Sequence, residues 1–191
     1  MSDLLPLTPS QTVGPFFGYA LPYAGGEALA ASETRGERIA IHGIVRDGDG
    51  APVPDALIEI WQANAAGRYA HPDDDRAEGE LDPAFIGFGR CPTDADGRYH
   101  FETIRPGRVP GPHGAAQAPH VAVGVLARGL LKLLSTRIYF SDDPANEEDA
   151  ILAIVDPVRR ASLIAKREGD EPSYRFDIVL QGEGETVFFA F

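Results

Sequence analysis

Histidine side chains can act as general bases or metal ligands, but their spacing in this sequence indicates no site. The five histidines stand at positions 42, 71, 100, 113 and 120. None of them forms a His-x-His or His-x-x-x-His pair, which would place two imidazoles on one face of a strand or helix. The nucleophile motif Gly-x-Ser-x-Gly and the phosphate-binding motif Gly-x-x-x-x-Gly-Lys are also absent. Each histidine taken singly favours a structural or surface role.

The segment 57–69 carries a stronger signal. A period of two places Ile58 and Ile60 in a core and sends Leu57, Glu59 and Trp61 to the opposite face. A large indole beside a carboxylate requires a covering partner, which predicts an interface or a pocket wall. A half-buried tryptophan beneath a loop is the simpler alternative.

Alternating hydrophobicity supplies the elements that would position these residues. The clearest strand begins at Arg38, and the other predicted strands span 56–62, 98–104, 121–126, 136–140, 174–180 and 186–191. The Asp-x-Asp-Gly segments at 47–50 and 94–97 predict tight turns, since neither has the glutamate that completes a calcium loop. Short strands bounded by Gly and Pro predict a mainly β protein, an antiparallel β-sandwich with long loops.

The remaining segments predict a single domain, 1–191. Residues 1–37 are rich in Pro, Gly and Ala and form a predicted N-terminal arm that docks on another surface, while 38–191 form the sandwich core. Residues 146–166 have roughly helical spacing interrupted by Pro157, which predicts two short helices near the C-terminal third. Residues 71–83 have no hydrophobic period and read as a solvated loop.

Composition excludes several classes of partner. With 29 Asp and Glu against 17 Lys and Arg, the net charge of −12 opposes binding to nucleic acid or anionic lipid. No stretch is apolar enough to span a membrane, and the start lacks the features of a secretory signal. The single cysteine, Cys91, fits packing in a reducing compartment. These observations predict a cytoplasmic protein.

Several short motifs together resemble a known family. They are the segment 57–69, the turn at 94–97, Thr-Ile-Arg-Pro-Gly at 103–107, Ala-Pro-His at 118–120 and Arg-Ile-Tyr-Phe at 137–140. Each is weak alone, but the ordered set resembles the intradiol ring-cleaving dioxygenases from about residue 8 to the C-terminus. The opening Thr-Pro-Ser-Gln-Thr-x-Gly-Pro at 8–15 and the segment 181–189 are typical of one subunit of a heteromeric member.

The resemblance implies a non-haem ferric enzyme of mainly β fold. Such an enzyme inserts both atoms of O₂ between the two hydroxyl-bearing carbons of 3,4-dihydroxybenzoate and yields 3-carboxy-cis,cis-muconate. In the family's catalytic chains two tyrosines and two histidines hold the iron, because hard phenolate oxygens stabilise Fe(III).

Carried onto this sequence, the resemblance leaves only half of that ligand set. Tyr69 stands at the first tyrosine position and His120 at the first histidine position. Val109 replaces the second tyrosine and Ala122 replaces the second histidine of a His-x-His pair. Two protein ligands with one negative charge are too few to retain Fe(III). The expectation is a vestigial pocket without iron or catalytic residues, with Fe(III) held by a homologous partner subunit in a higher αβ oligomer.

The resemblance also assigns contacts to this subunit. The arm is expected to reach the partner's active-site cleft and to present Thr12, Gly14 and Pro15 to the substrate. Arg137 occupies the position of a glutamine in the iron-bearing chain and is expected to bind the substrate carboxylate in the shared cavity. The alternative for this arginine is an ion pair with a strand neighbour such as Glu102.

Two other functions stay open at this point. His113 and loop carboxylates could complete a rearranged iron site, which would make the chain a self-sufficient dioxygenase. A non-enzymatic β-sandwich used as a binding or adhesion module is the alternative from a different class.

Overall fold

β-strands dominate the structure, a computed structural model that describes residues 8–76, 81–111 and 114–190. The strands of this part are β1 (Arg38–Arg46), β2 (Leu57–Gln62), β3 (Phe88–Pro92), β4 (Arg98–Ile104), β5 (His120–Leu126), β6 (Leu134–Phe140), β7 (Ile164–Glu168), β8 (Ser173–Arg175) and β9 (Ile178–Val179). The helices are α1 (Phe17–Ala20), α2 (Ala150–Ile154) and the 3-10 helices Pro144–Glu148 and Arg160–Leu163. The predicted mainly β sandwich is confirmed.

The strands form one folded-over sheet in the order β3-β2-β5-β6-β7-β8-β1-β4, with β9 beside the end of β1. Strand β7 carries the sheet from one half to the other, since Ile164 and Ala165 pair with β6 while 166–168 pair with β8. Five ladders are antiparallel as predicted. The pairs β1–β8, β1–β9 and β6–β7 are parallel.

The core lies between the two halves and follows the period of two. Alternate residues of β1 are buried, and Ile41, Ile58, Phe101 and Ile138 have no exposed surface. Burial of such side chains stabilises a fold by about 1.5–3 kcal/mol each. Cys91 belongs to the same cluster, so its predicted packing role is confirmed.

Both Asp-x-Asp-Gly segments are the predicted turns, with the same chemistry. The Asp47 carboxylate accepts hydrogen bonds from the backbone N–H groups of residues 49 and 51, and Asp94 accepts from residues 96 and 98. Gly50 and Gly97 adopt positive φ angles of 79° and 73°, which other residues tolerate poorly.

The predicted strand 174–180 is interrupted, and the prediction was wrong at its middle. A Cβ on Gly43 would lie 1.8 Å from the Phe176 carbonyl oxygen, so the two backbones approach too closely for regular pairing. The Asp177 carboxylate then accepts the Ile44 N–H at 3.1 Å in place of a backbone carbonyl. The segment therefore divides into β8 and β9.

The predicted strand 186–191 was also wrong in the described part. Over 186–190 the described backbone forms an isolated bridge between Phe189 and Ser135, and the Thr186 N–H donates to the Val179 carbonyl, but these bonds form no continuous ladder. Residue 191 lies outside the described residues.

The predicted helices at 146–166 are confirmed only in part. The segment holds α2 and short 3-10 turns, but Ile164 begins β7. Pairing of Ile164 with Tyr139 and of Ala165 with Phe140 decides this conformation. Tertiary pairing overrides the weak helical spacing.

The N-terminal region has two parts. From Gly26 onward it lies on this chain's own sheet, where Gly26 accepts from the Arg90 N–H and Leu29 donates to the Glu102 carbonyl. These bonds join the edges of β3 and β4 and nearly close the sheet. Before that, the unpredicted helix α1 and its surroundings expose Phe16 and Tyr19 at 77% and 88%. No helix in the described ranges is long and apolar enough to cross a bilayer.

Candidate functional site

A cavity of about 810 Å³ opens beside β2, β5 and β6. Three of the four expected iron-ligand positions, Tyr69, Val109 and His120, line it together with Arg137. The other lining residues are Trp61, His71, Asp73, Asp74, Asp75, Arg76, Phe88, Pro110 and Gln117. The prediction that Trp61 forms a pocket wall is confirmed.

Strand register places the inner wall of the cavity. Ala122 pairs with Trp61 on β2 and with Arg137 on β6, so these three residues form a row across the sheet. His120 shares their face of β5, because residues two apart on a strand point the same way. The fourth expected ligand position, Ala122, thus lies next to the cavity and brings no donor atom.

A tight turn brings the tyrosine to the wall. The Asn64 side chain accepts the N–H groups of residues 66 and 68, and Gly67 has a φ of 75°. A Cβ on Gly67 would meet the Arg108 carbonyl oxygen at 1.8 Å, so this glycine lets the two loops of the site touch. Tyr69 then stacks on Trp61, with ring centroids 5.8 Å apart and planes at 9°.

The Asp74 carboxylate secures the same loop. It accepts the Tyr69 N–H at 2.8 Å and hydrogen bonds from the Arg76 guanidinium at 2.5 and 2.9 Å. The Arg76 guanidinium holds the pKa of Asp74 well below its usual range, against a smaller opposing effect of desolvation. The carboxylate is therefore ionised at neutral pH.

We expect Asp74→Asn to destabilise the chain by about 1–2 kcal/mol at neutral pH, because a charged hydrogen-bonded pair is lost. The native pKa of Asp74 is lowered, so its stabilising effect is present above the unfolded pKa and is lost as pH falls through the native value. The gap between variant and parent should thus narrow below about pH 4 in urea denaturation. Asp75→Asn, an exposed neighbour, is the matched control. A gap that is constant with pH would contradict the ion pair.

His120 is the most buried polar residue of the wall, with 5% of its surface exposed. Its Nδ1 lies 2.8 Å from the Ala118 carbonyl oxygen, which fits a neutral ring that donates from Nδ1. Burial lowers the pKa of His120, and the nearby charge of Arg137 lowers it further. The ring is neutral at pH 7, with its Nε2 lone pair available.

The phenols near the site are held in their neutral form. Burial raises the pKa of Tyr69, although Arg137 and Arg76 oppose the shift. Burial also raises the pKa of Tyr139, whose hydroxyl donates to the Asp149 carboxylate at 3.2 Å. Neither tyrosine is a phenolate at neutral pH without a bound cation.

Arg137 points into the cavity and is held by neutral groups. Its Nη1 donates to Gln117 Oε1 at 2.7 Å and approaches the Tyr139 hydroxyl at 3.4 Å. No ion pair joins it to Glu102 in the described part of the chain, and Glu102 is an exposed residue of β4.

Comparison with known proteins identifies the family. The profile of the dioxygenase family Dioxygenase_C matches residues 13–182. The chain belongs to the intradiol dioxygenase family. The structure is similar to the dioxygenase domain of a dioxygenase carbohydrate-binding protein fusion from Streptomyces sp. SirexAA-E, with a TM-score of 0.62, 29% identity and 92% and 98% of the two chains covered.

Two curated relatives in this dioxygenase family are named as subunits of one enzyme. The protocatechuate 3,4-dioxygenase alpha chain of Burkholderia cepacia is 43% identical, over 95% of this chain and 96% of its own. The beta chain from the same organism is 42% identical, over 83% of this chain and 71% of its own.

Intradiol dioxygenases depend on non-haem iron, and the residues of this cavity do not fit that ion. Tyr69 and His120 are present, but hydrocarbon side chains stand at Val109 and Ala122. Among the described residues, no group of three or more His, Cys, Asp or Glu could hold a metal. His113, the residue of the alternative site, lies outside the described residues. A hard trivalent cation needs more anionic donors than remain.

The residues expected on the arm lie apart from this cavity in the isolated chain. Thr12 and Pro15 are exposed, Gly14 is partly exposed with a φ of 77°, and none of them lines the cavity. The role expected of them in a partner's cleft stays a prediction.

Several wall residues of this dioxygenase cavity carry no sequence signal. Phe88 lies on β3, a strand that the alternation of hydrophobic residues did not predict. Gln117 directly precedes the Ala-Pro-His motif at 118–120 but is not part of it. His71 and Arg76 belong to the segment predicted to be a solvated loop, which is largely exposed in its described part and also contributes to the cavity wall. Only the fold brings these residues together.

Proposed function

We propose that this chain is the alpha subunit of a heteromeric protocatechuate 3,4-dioxygenase whose iron is held by a homologous beta subunit. The enzyme would cleave 3,4-dihydroxybenzoate with O₂ to 3-carboxy-cis,cis-muconate. One observation carries the proposal: the cavity retains Tyr69 and His120 but has hydrocarbon at Val109 and Ala122. Relatives named as alpha and beta chains support an αβ assembly.

In this proposal the subunit shapes the partner's site. Thr12, Gly14 and Pro15 would form a close, rigid wall with one hydroxyl contact, and Arg137 would bind the substrate carboxylate. The exposed Phe16 and Tyr19 of the arm support a docking role, because apolar groups of this size are usually covered.

Further features of the proposal are a higher αβ oligomer and a cytoplasmic location. A buried, unpaired Cys91 supports a reducing compartment. Together with the partner, the chain would bind a small aromatic substrate and O₂.

Co-expression with a beta-type homologue tests the proposal. We expect native mass spectrometry to show both chains and metal analysis to find iron equal to the number of partner chains. The chain purified alone should contain no iron and no visible tyrosinate band. A coloured, active preparation of the chain alone would overturn the proposal.

Removing residues 1–15 should impair the complex without removing its iron. The part of the arm that carries Thr12, Gly14 and Pro15 would no longer form part of the cleft, and loss of such positioning contacts costs on the order of 10–100-fold in kcat/KM. Steady-state oxygen uptake measures this effect, with iron analysis of the same sample as the control. Unchanged kcat/KM in a fully assembled complex would show that the arm is not part of the cleft.

A further inference from the structure

Two of the four expected metal ligands are replaced by hydrocarbon side chains, but the cavity still has walls suited to a flat aromatic ring. The indole of Trp61 and the phenol of Tyr69 stack on one side, and Phe88 lies 6.4 Å from the indole. Val109 and Pro110 add apolar surface. A volume of about 810 Å³ is ample for one aromatic ring with its substituents.

The same cavity contains a guanidinium with unused donors. Arg137 directs Nη1 to Gln117 and Tyr139, while its Nε and Nη2 have no hydrogen-bond partner among the described residues. It forms no ion pair with any described residue. A planar guanidinium edge matches the two oxygens of a carboxylate.

Two further polar atoms of the wall are available to a ligand. Only 5% of the His120 surface is exposed. Its Nδ1 is hydrogen-bonded to the Ala118 carbonyl oxygen, and its Nε2 has no hydrogen-bond partner in the described ranges. The Tyr69 hydroxyl likewise has no hydrogen-bond partner among the described residues, although the residue lines the cavity. A lone pair and a neutral phenol suit the hydroxyl groups of a phenolic ring.

We infer that this cavity binds a hydroxylated benzoate without a metal, with the carboxylate on Arg137 and a ring hydroxyl near His120. The inference goes beyond the proposed function, because binding requires neither the partner chain nor iron. The acidic residues of the rim do not cancel the arginine. Asp74 is neutralised by Arg76. The Asp73 side chain is 93% exposed and Asp75 is also exposed, so water and salt screen both charges.

The single tryptophan of the chain, Trp61, reports on this cavity directly. We expect 3,4-dihydroxybenzoate and 4-hydroxybenzoate to change its fluorescence saturably in the chelator-treated full chain, with one ligand per chain by calorimetry. Catechol, which lacks the carboxylate, and cyclohexanecarboxylate, which lacks the aromatic ring, should bind at least about 10-fold more weakly. Equal binding of catechol, or no saturable change in a chain folded by circular dichroism, would overturn the inference.

Two substitutions of Arg137 distinguish the contribution of its positive charge to ligand binding from that of its planar guanidinium. Arg137→Gln should weaken binding of 4-hydroxybenzoate on the order of 10–100-fold, and Arg137→Lys should weaken it less. Arg128→Gln is the matched control, because Arg128 is exposed, pairs with Asp55 and lies beyond the opposite end of β5. If Arg137→Gln binds 4-hydroxybenzoate with unchanged affinity, the ligand carboxylate does not contact Arg137, and the inference is overturned.

A measurement on the complex covers the case in which the chain is unstable alone. Calorimetry of the αβ complex with 4-hydroxybenzoate should count two ligands per αβ pair, one in this cavity and one in the partner's site. A single ligand per pair would overturn the inference and leave the proposed function intact, whereas a failure to assemble with a beta-type chain affects only the proposed function.

Discussion

The double variant Val109→Tyr, Ala122→His will bind Fe(III), about one ion per chain, whereas the parent chain will bind none. The variant restores a second phenol and a second imidazole around the two donors that remain, Tyr69 and His120. Four ligands, two of them anionic when bound, meet the preference of ferric iron for hard donors. The expected change is thus from no stable site to a stoichiometric one.

The structure supports this double variant because the two substituted positions lie close to the two remaining donors. Val109 already lines the cavity with Tyr69 and His120, and Ala122 is two residues after His120 on the same strand face. Arg137 on β6 pairs with Ala122 on β5, and its positive charge there opposes a bound cation. Adding Arg137→Gln to the double variant should therefore tighten iron binding further.

Visible absorption and metal analysis measure the result. A phenolate-to-iron charge-transfer band should accompany the iron in the double variant and weaken in each single variant. Tyr69→Phe in the double-variant background is the control for the donor at position 69. A folded double variant without iron would show that the cavity has lost the geometry as well as the donors.

Asp149→Ala should destabilise the chain by more than about 4 kcal/mol, since it leaves several buried donors without an acceptor. Only 1% of Asp149 is exposed. Its carboxylate accepts the N–H groups of Ile151 and Leu152 at the start of α2, the Ala118 N–H at 2.8 Å and the Tyr139 hydroxyl. One side chain therefore caps a helix and ties the segment before His120 to β6.

Chemical denaturation of the full chain measures this loss, with Asp156→Ala as the matched control. Asp156 lies in the turn after α2 and also accepts a backbone hydrogen bond, from the Val158 N–H at 2.9 Å, but it is exposed. Its removal should cost about 1 kcal/mol. Asp149→Asn should be intermediate, because the amide retains an acceptor oxygen but turns an N–H toward one donor. Equal losses at Asp149 and Asp156 would contradict the role given to the buried network.

The alternation of buried and exposed residues along several strands was predictable from the sequence. Alternation in β1, β4 and β5 and the two aspartate turns depend on neighbouring residues, whose conformations are governed by local sterics and hydrogen bonds. The presence of Tyr69 and His120, and the hydrocarbon at Val109 and Ala122, were also readable directly, because a donor atom is a property of the residue type.

Pairing between distant segments was decided only by the tertiary structure. Strand β7 exists because Ile164 and Ala165 find β6, and the strand near 176 breaks because its carbonyl meets Gly43. The cavity likewise depends on register, since Ala122 faces Trp61 and Arg137 only after three strands align. Sequence alone determined which donors this chain possesses; the sheet decided which side chains share one cavity, because register is a long-range property that local preferences do not encode.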